Sequence, residues 1–355
     1  MKVLLLPVNI ASDISHKVRL LEAIGVEARG FSISDSPIQS ASNVKIFSLN
    51  KGSRITSRLR RYKIFAEIRQ LIAWADVLHW IADAGVFARG WNKNFLHRIN
   101  KPGVVQWIGS DIRVPALDMA INPYYQTAFT DGYEYKDESR ERSAANQVFF
   151  AKLGFYPLEF VGMGHYINRE LFPKRFRTWQ SIVLSDHVPH YPELARQKPL
   201  IVHSPSAPVA KGTKYILQAV ERLKSKYDFD FTLVQGLPRA QAIKLMSECD
   251  VYVDQLILGA HGYAAVEAMA FGKPVVCYIN PVIGKDYPAD LPIVNANPDN
   301  IAEKLERLIC DAAWRHEIGL KSRQYAEKYH DDQQIARDLV QIYQEVINLH
   351  RQRGK

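Results

Sequence analysis

The sequence lacks any apolar run approaching the roughly eighteen consecutive residues that a membrane-spanning helix requires. This absence argues against an integral membrane protein. The opening stretch, residues 1–7, superficially resembles a secretory signal, but its apolar run is short and no small-residue cleavage site follows. We therefore expect these residues to form the first strand of a sheet.

Cysteine is also scarce, and the three residues present are Cys249, Cys277 and Cys310. Their spacing matches neither a zinc site nor a redox motif. Two of them fall in stretches that read as buried, so we expect inert core thiols in a reducing cytosol. Glycine is missing from the loop after the first strand, residues 8–13, which argues against an ordinary NAD-binding fingerprint.

The composition that remains is typical of a soluble globular protein large enough for two domains. Of the 355 residues, 47% are hydrophobic and 23% are charged. Short apolar stretches alternate with helical patterns along the chain, which predicts α/β architecture with doubly wound parallel sheets. The formal charge of +9 indicates an anionic partner: nucleic acid, a lipid surface or a phosphorylated small molecule.

Much of the positive charge in the first half lies in residues 51–70, where apolar positions recur at helical spacing. Such a basic amphipathic helix can lie on an anionic leaflet of a membrane. It can equally pack against the sheet with its charges solvated, and composition slightly favours that arrangement. A nucleic-acid site is disfavoured, because no recognised binding module or stacking platform accompanies the charges.

Polar groups near the ends of two predicted strands, residues 76–80 and 104–108, are candidates for an acceptor site. In an open parallel sheet, ligands bind outside the carboxyl ends of the strands. This rule places His79 and the turn Gly109-Ser110-Asp111 near the edge, although a packing histidine and a helix-capping turn explain the same residues. Residues 115–142 read as an acidic, solvated loop more than as an acceptor-recognition segment.

Two strand-to-helix loops in the second half are candidate anion sites. Lys211 follows the strand Ile201-Val202-His203, where a cation and a helix N-terminus can act together on phosphate oxygens. Later, residues 250–279 form a strand, glycine loop, helix and strand, with Glu267 one turn inside the helix. Backbone amides in that loop would suit a diphosphate and the carboxylate would suit a ribose, whereas the alternative is tight packing beside a solvated glutamate.

These two loops occur in the order and spacing of a known family. Lys211-Gly212-Thr213, Gly262 and the run from Glu267 to Val276 together resemble the donor domain of the retaining GT-B glycosyltransferases of family four, the glycosyl transferases group 1. The resemblance is specific over residues 201–279 and weaker in the first half. It implies two Rossmann-like doubly wound domains facing across a cleft, with a terminal helix that crosses back to the first domain.

The resemblance implies roles for individual residues. Lys211 would contact the donor diphosphate, the amides around Gly262 and Tyr263 would hold its distal phosphate, and Glu267 would hold the ribose. The remaining donor-site candidates are Ser206, Gly212, Thr213, Gln235, Gly236 and His261. Candidates for acceptor binding are Asn9, Ser110 and Asp111, and those for catalysis are Asp111 and His79. No metal is expected, since no Asp-x-Asp pair is placed to bind one.

The sequence departs from the family pattern at three informative positions. Gly259 stands where the first carboxylate of the Glu-x7-Glu element is usual, Ser206 where an arginine is usual, and Ile108 where a histidine is usual. A sugar-sensing carboxylate, a diphosphate cation and a cleft imidazole are therefore missing. His261 stands where the family often has an aromatic residue, and it either supplies a replacement donor contact or is a simple loop residue.

We therefore predict a glycosyltransferase that moves a sugar from a nucleotide-diphosphate sugar to a polysaccharide or lipid-linked glycan. The alternatives are a non-catalytic GT-B protein that binds a nucleotide sugar or a partner, and a GT-B epimerase. The expected domains are residues 1–175 for the acceptor, 176–330 for the donor, and 331–355 as the returning helix. The expected location is the cytoplasm, peripheral to the inner face of the plasma membrane if residues 51–70 bind anionic lipid; no nucleic acid and no cofactor are expected.

Overall fold

A computed structural model of the chain describes residues 1–9, 13–33, 43–47, 54–82 and 98–353, apart from the side chains of residues 54–59. Contacts divide the chain into two compact units, each with its own parallel sheet. Unit 1 comprises Met1–Arg113, Glu138–Thr178 and Gln333–Lys355, and unit 2 comprises Val114–Asp137 and Trp179–Asp332. The prediction of two α/β sheet domains is confirmed.

Unit 1 is built on a seven-stranded parallel sheet in the order β3-β2-β1-β4-β5-β6-β7. Its central strands are buried on both faces, as the apolar runs of β1 and β4 predict. The strands are β1 (Lys2–Leu6), β2 (Glu27–Ser32), β3 (Val44–Ile46), β4 (Val77–Ile81), β5 (Gly103–Gln106), β6 (Tyr156–Phe160) and β7 (Phe176–Thr178).

Four helices cover the described part of this sheet: α1 (Asp13–Ala23), α2 (Arg54–Trp74), α5 (Arg140–Lys152) and α12 (Asp332–Arg353), nearly all of which belongs to unit 1. Helix α5 begins where the Ser139 hydroxyl accepts the Arg142 amide at 3.1 Å, which satisfies one free donor of the first turn. The core is aromatic, with Trp80 packed edge-on against Phe150 at a centroid distance of 5.4 Å.

A chain of polar side chains crosses the unit 1 core from α12 to α1. The Gln106 amide Nε2 donates to Asp13 Oδ2 at 3.0 Å, so its Oε1 accepts from His79 Nε2, 3.1 Å away. His79 Nδ1 is then the acceptor for the Tyr343 hydroxyl at 2.6 Å. Asp13 also pairs with Lys17. The terminal helix is thus tied to the sheet by a directed set of hydrogen bonds within unit 1.

Unit 2 has a five-stranded parallel sheet in the order β12-β11-β10-β8-β9. Its strands are β8 (Leu200–His203), β9 (Asp230–Leu233), β10 (Val251–Val253), β11 (Val275–Cys277) and β12 (Val294–Asn295). Helices of the second half follow them: α6 (Pro208–Lys211), α7 (Thr213–Lys224), α8 (Arg239–Glu248), α9 (Tyr263–Ala270), α10 (Ile301–Cys310) and α11 (Ala312–Tyr329).

Residues 114–137 also belong to unit 2. The prediction of a solvated loop from residue 115 is wrong here, because the segment forms two helices, α3 (Pro115–Ile121) and α4 (Pro123–Thr130). Its buried Tyr125 and Tyr133 pack with Ala210 and Ile257 in one apolar cluster. The many acidic residues of this segment suggested a solvated loop, although its tyrosines form a buried apolar face.

Two asparagines join this segment to the loop after β10. The Asn122 amide donates to the Ile257 carbonyl at 2.6 Å, and the Asn280 amide donates to the Ile121 carbonyl at 2.7 Å. Gly259 lies between them with a φ of +79°, and a Cβ built there would be 2.9 Å from Asn280 Cβ. The space for a side chain at residue 259 is therefore filled, which explains why this position is a glycine.

The basic helix predicted for residues 51–70 corresponds to α2. Residues 51–53 of that prediction lie outside the described part of the chain. The apolar side chains Ile64, Phe65 and Ile68 of α2 are buried in unit 1, whereas Arg60, Arg61, Lys63 and Arg69 are exposed. The amphipathic pattern therefore serves the core of unit 1 with its apolar face. Within the described residues, no helix is both long and apolar enough to span a bilayer.

Three buried histidines make the stability of the fold sensitive to acid. Burial lowers the pKa of His79 to about 3, of His203 to about 4 and of His330 to about 3. Histidines in the unfolded chain titrate near 6.5, so the unfolded state binds more protons between pH 6.5 and those values. Stability should therefore be constant above about pH 7 and fall as the pH drops below 6.5.

We predict that each such histidine costs about 2 kcal/mol between pH 7 and pH 5. The variant His330→Asn keeps a donor for the Gln180 carbonyl, which His330 Nδ1 contacts at 2.8 Å. Urea unfolding followed by circular dichroism should show a shallower pH slope for this variant. The control is His190→Asn at an exposed histidine, and an equal slope in both variants would contradict the prediction.

The filled space at Gly259 predicts a second stability effect. Gly259→Ala should destabilise unit 2 by about 2 to 4 kcal/mol, because it adds a clash with Asn280 to the cost of a positive φ. Gly132→Ala is the matched control, since Gly132 has a φ of +96° and nothing within 4 Å of a built Cβ. Equal losses in thermal unfolding would show that the two asparagines do not constrain the loop.

Candidate functional site

The candidate site lies at the carboxyl ends of β8 and β10, which are parallel neighbours in the unit 2 sheet. Lys211 ends α6, the short helix after β8, and Gly262 precedes α9 in the loop after β10. Because carboxyl ends of parallel strands meet at one edge, the two predicted diphosphate groups fall close together.

A third residue, Asp254, joins them. Lys211 Nζ lies 2.8 Å from Asp254 Oδ1, and the Gly262 amide donates to Asp254 Oδ2 at 2.7 Å. The Asp254 side chain is fully buried and that of Lys211 is 12% exposed. Burial works to raise the pKa of Asp254, but Lys211 and the Gly262 amide outweigh it and hold that pKa below its usual value. The carboxylate is therefore ionised.

Lys211 responds to the same pair. Burial alone would lower the pKa of its ammonium, yet the neighbouring Asp254 carboxylate keeps it above the ordinary value. The Lys211 carbonyl accepts the Leu256 amide at 3.0 Å, so the backbones of the two loops are also bonded. The result is a cation held at a fixed position at the edge of the sheet.

The turn from α6 to α7 is shaped by Gly212 and Thr213. Gly212 has a φ of +74°, and a built Cβ would be 3.0 Å from the Ile257 side chain. The Thr213 hydroxyl contacts His203 Nε2 at 2.9 Å, while His203 Nδ1 contacts the Val253 carbonyl at 2.8 Å. Both residues fix the route of the chain past Lys211.

Glu134, an acidic residue from the 114–137 segment, caps the N-terminus of α6. The Glu134 carboxylate accepts the backbone amides of Val209 and Ala210 at 2.7 and 2.9 Å. Asp131 pairs with Lys214 on the next helix at 2.8 Å. No pattern in the sequence connects these two acids with their partners on α6 and α7, some 75 positions later. They meet the turn only because the segment belongs to unit 2.

Glu267, the predicted ribose ligand, is buried to 4% exposure on α9 and pairs with Arg239. Arg239 is the first residue of α8 and its side chain is 56% exposed. Arg239 reaches this buried carboxylate from the solvent side, so other donors that approach from solvent would replace it without leaving the charge unpaired. Arg239 was not singled out from the sequence.

His261 lies in the donor loop with 5% exposure. Its Nδ1 lies 3.4 Å from the Gly262 carbonyl, and its ring contacts Tyr287 at a centroid distance of 5.0 Å. Tyr263 donates its hydroxyl to the Ser181 carbonyl at 2.6 Å. These contacts anchor the loop to the rest of unit 2. The remaining predicted donor residues, Ser206, Gln235 and Gly236, are exposed at the ends of β8 and β9.

The predicted acceptor and catalytic residues all lie in unit 1. The Asn9 side chain accepts the Ile14 amide at 2.9 Å and so caps α1. Asp111 accepts the Ile108 and Gly109 amides at 3.1 and 2.9 Å, and it is 3% exposed. Ser110 is partly exposed, whereas His79 is fully buried with both nitrogens engaged. Their roles in acceptor binding and catalysis stay predictions.

No cluster of three or more histidine, cysteine, aspartate or glutamate side chains in the described part of the chain is arranged to hold a metal ion. Cys249 and Cys277 are buried and Cys310 is exposed.

Asp254 was not predicted as a site residue, but the sequence contains a signal that could have found it. It is an acid directly after the buried strand β10, in a run that is otherwise mostly apolar. A charge in that place needs a partner, and Lys211 was already identified on the neighbouring loop.

Part of unit 2 matches a known protein family. Residues 230–328 match the family described as Glycosyl transferases group 1. A sequence search found no match among curated proteins.

Solved structures resemble the chain over nearly its whole length. A sucrose-phosphate synthase from Thermosynechococcus elongatus is 13% identical with a TM-score of 0.68, covering 98% of this chain and 100% of its own. A glycosyltransferase from Rickettsia africae is 12% identical with a TM-score of 0.61 and 98% coverage of both chains. Anabaena Alr3699/HepE in complex with UDP and glucose is 13% identical with a TM-score of 0.57, covering 97% and 100%. The family match lies within unit 2, and the likeness over nearly the whole chain shows the two-domain α/β fold of the GT-B glycosyltransferases that the motifs predict.

Proposed function

We propose that the protein transfers a sugar, with retention of configuration, from a nucleoside-diphosphate sugar to a polysaccharide or lipid-linked glycan. The observation that carries the donor part is the meeting of Lys211 and the Gly262 amide at one sheet edge, on either side of the Asp254 carboxylate. Both groups are donors to anionic oxygen. The UDP and glucose bound by Anabaena Alr3699/HepE, a protein of similar fold, support a donor of this class.

The proposed chemistry needs little from the protein beyond position and charge. The bond between the sugar C1 and the diphosphate oxygen breaks, an acceptor hydroxyl oxygen forms the new bond to C1, and the proton of that hydroxyl passes to the departing diphosphate. Negative charge grows on the departing diphosphate, where an ammonium and a backbone amide stabilise the transition state more than the ground state. Lys211, which has further N–H donors, and the amides that follow Gly262 at the start of α9 take these roles, and the ribose hydroxyls replace Arg239 as donors to Glu267.

A second candidate is a protein that binds a nucleotide sugar without transferring it. The filled space at Gly259 favours this candidate, because no carboxylate at that position can reach a donor sugar. The two candidates differ in turnover and agree in binding.

We predict that the purified protein releases nucleoside diphosphate from at least one member of a nucleotide-sugar panel when bacterial lipid and glycan extracts are present. Lys211→Ala should reduce this release about 100-fold, because a charge-assisted contact to the leaving group contributes about 3 kcal/mol. Glu267→Ala should weaken donor binding about tenfold. Release is measured with a coupled phosphate assay, with and without EDTA.

Lys214→Ala is the matched control, since it removes a lysine one turn away that is 55% exposed and bonded to Asp131. Its activity should stay within about twofold of the parent. Binding of a donor without release by any acceptor extract would favour the second candidate. Equal losses of nucleoside diphosphate release in the Lys211 and Lys214 variants would contradict the assignment of Lys211 to the leaving diphosphate.

We further propose that the protein works at an anionic membrane surface through unit 1. The two units differ sharply in charge: unit 1 contains 28 lysines and arginines against 14 acidic residues, whereas unit 2 contains 18 against 23. The exposed face of α2 adds to this positive unit. Since Ile64, Phe65 and Ile68 are buried in the core, the attraction would be electrostatic, without insertion of the helix.

We predict that the protein co-sediments with vesicles containing phosphatidylserine and that binding falls steeply with salt. Replacing Arg60, Arg61 and Lys63 by glutamine should weaken binding at least tenfold, because each basic residue contributes about 1 kcal/mol near such a surface. The control removes the same charge from unit 2 at the exposed residues Arg222, Lys224 and Lys226. Binding that ignores lipid charge, or equal losses in both triple variants, would contradict this proposal.

A further inference from the structure

The Asp254 carboxylate stands in an unusual place for a site that should bind an anion. It is fully buried and contacts the two groups that border the proposed diphosphate site, the Lys211 ammonium and the Gly262 amide just before α9. Two opposite effects follow. Its charge repels a diphosphate nearby, whereas its hydrogen bonds hold the two donors in place.

The burial of Lys211 decides between these effects. An ammonium with 12% exposure loses most of its hydration, and burial on its own favours the neutral amine. Asp254 is the carboxylate that keeps Lys211 charged at this depth. Without it, the amine would either lose its proton or swing toward solvent, and a diphosphate would lose its cation.

The carboxylate is itself rigidly mounted. The Asp254 amide donates to the Val276 carbonyl at 2.9 Å, so the residue belongs to the sheet although it follows β10. The Lys211 carbonyl is fixed by the Leu256 amide, two residues beyond Asp254. A donor group supported by a sheet edge keeps its geometry better than one carried by loops alone.

We propose that Asp254 is a positioning residue of the donor site, which holds the Lys211 ammonium and, through the Gly262 amide, the N-terminus of α9 together as one receptor for the diphosphate. The inference rests on the proposed function. It goes beyond it by assigning to a buried acid, which does not touch the substrate, the task of keeping the phosphate ligands charged and aligned.

The variant Asp254→Asn tests this role, because an asparagine offers one acceptor oxygen where the carboxylate offers two. One of the two donors must then lose its partner. We expect the affinity for the tightest-binding nucleoside diphosphate of a panel (UDP, GDP, ADP and dTDP) to fall at least tenfold by isothermal titration calorimetry. The affinity for the corresponding nucleoside monophosphate, which lacks the distal phosphate, should change less than threefold.

Asp250→Asn is the matched control. Asp250 is also a buried acid, at the opposite end of β10, where it accepts the Leu200 amide at 2.7 Å and pairs with Arg196. This variant should lower thermal stability and leave the ratio of diphosphate to monophosphate affinity unchanged. A merely structural role for Asp254 would move both affinities together and leave that ratio unchanged as well.

The pH dependence gives an independent readout. The titratable groups that face Lys211 are Asp254, His203, Cys277 and Tyr135, and Glu134 caps the α6 turn that carries it. In the parent, diphosphate affinity should be flat from pH 7 to 9, because Asp254 holds the lysine pKa above its ordinary range. In Asp254→Asn, affinity should decline across this interval as Lys211 loses its proton.

Each outcome decides the matter. A parent chain that binds no nucleoside diphosphate overturns the proposed function and the inference with it. A parent that binds, together with an Asp254→Asn variant that binds as tightly or more tightly, overturns the positioning role alone and shows that charge repulsion dominates. Equal losses for diphosphate and monophosphate also overturn it.

Discussion

The buried pair of Lys211 and Asp254 is the interaction on which the unit 2 edge depends. Taking two charges out of water is costly, and removing one partner of such a pair typically costs about 3 to 5 kcal/mol. The pair persists because the Gly262 amide satisfies the second carboxylate oxygen. The loops after β8 and β10 are therefore joined by a contact that neither loop could maintain alone.

The same edge is completed by chain from an early part of the sequence. Residues 114–137 pack on unit 2 through a tyrosine cluster, cap α6 with Glu134 and fill the space beside Gly259 with Asn122. The absence of the usual carboxylate at residue 259 is thus a matter of packing as well as of chemistry.

The sequence predicted the parts of this molecule that repeat a local pattern. Apolar runs such as residues 3–6 and 251–253 correctly predicted buried parallel strands, because hydrophobic periodicity is a local property of the sequence. The glycine loop before α9 predicted an anion site on the same kind of local signal. The positions of Lys211 and Gly262 at one edge followed from the rule for parallel sheets.

Contacts between residues far apart in the sequence could not be predicted from such local patterns. Glu134 meets the α6 amides across some 75 positions, and His79 meets Tyr343 across 264. No period or motif marks either pair, since each depends on which face of a helix the fold turns inward. Arg239 beside Glu267 was missed for the same reason, and His79, a candidate for catalysis, proved to be part of a core hydrogen-bond chain.

The route of the chain has a consequence for its synthesis. Unit 1 contains the first strands and also helix α12, whose Tyr343 is fully buried against the sheet, while the whole of residues 179–332 lies between them. On the ribosome, which adds about 5 to 20 residues per second, the early sheet must wait for its last helix while unit 2 emerges and gathers its own strands. Unit 2 thus has the opportunity to fold first, and the unit 1 sheet, which has all seven strands but lacks α12, is the part that a chaperone would need to shield.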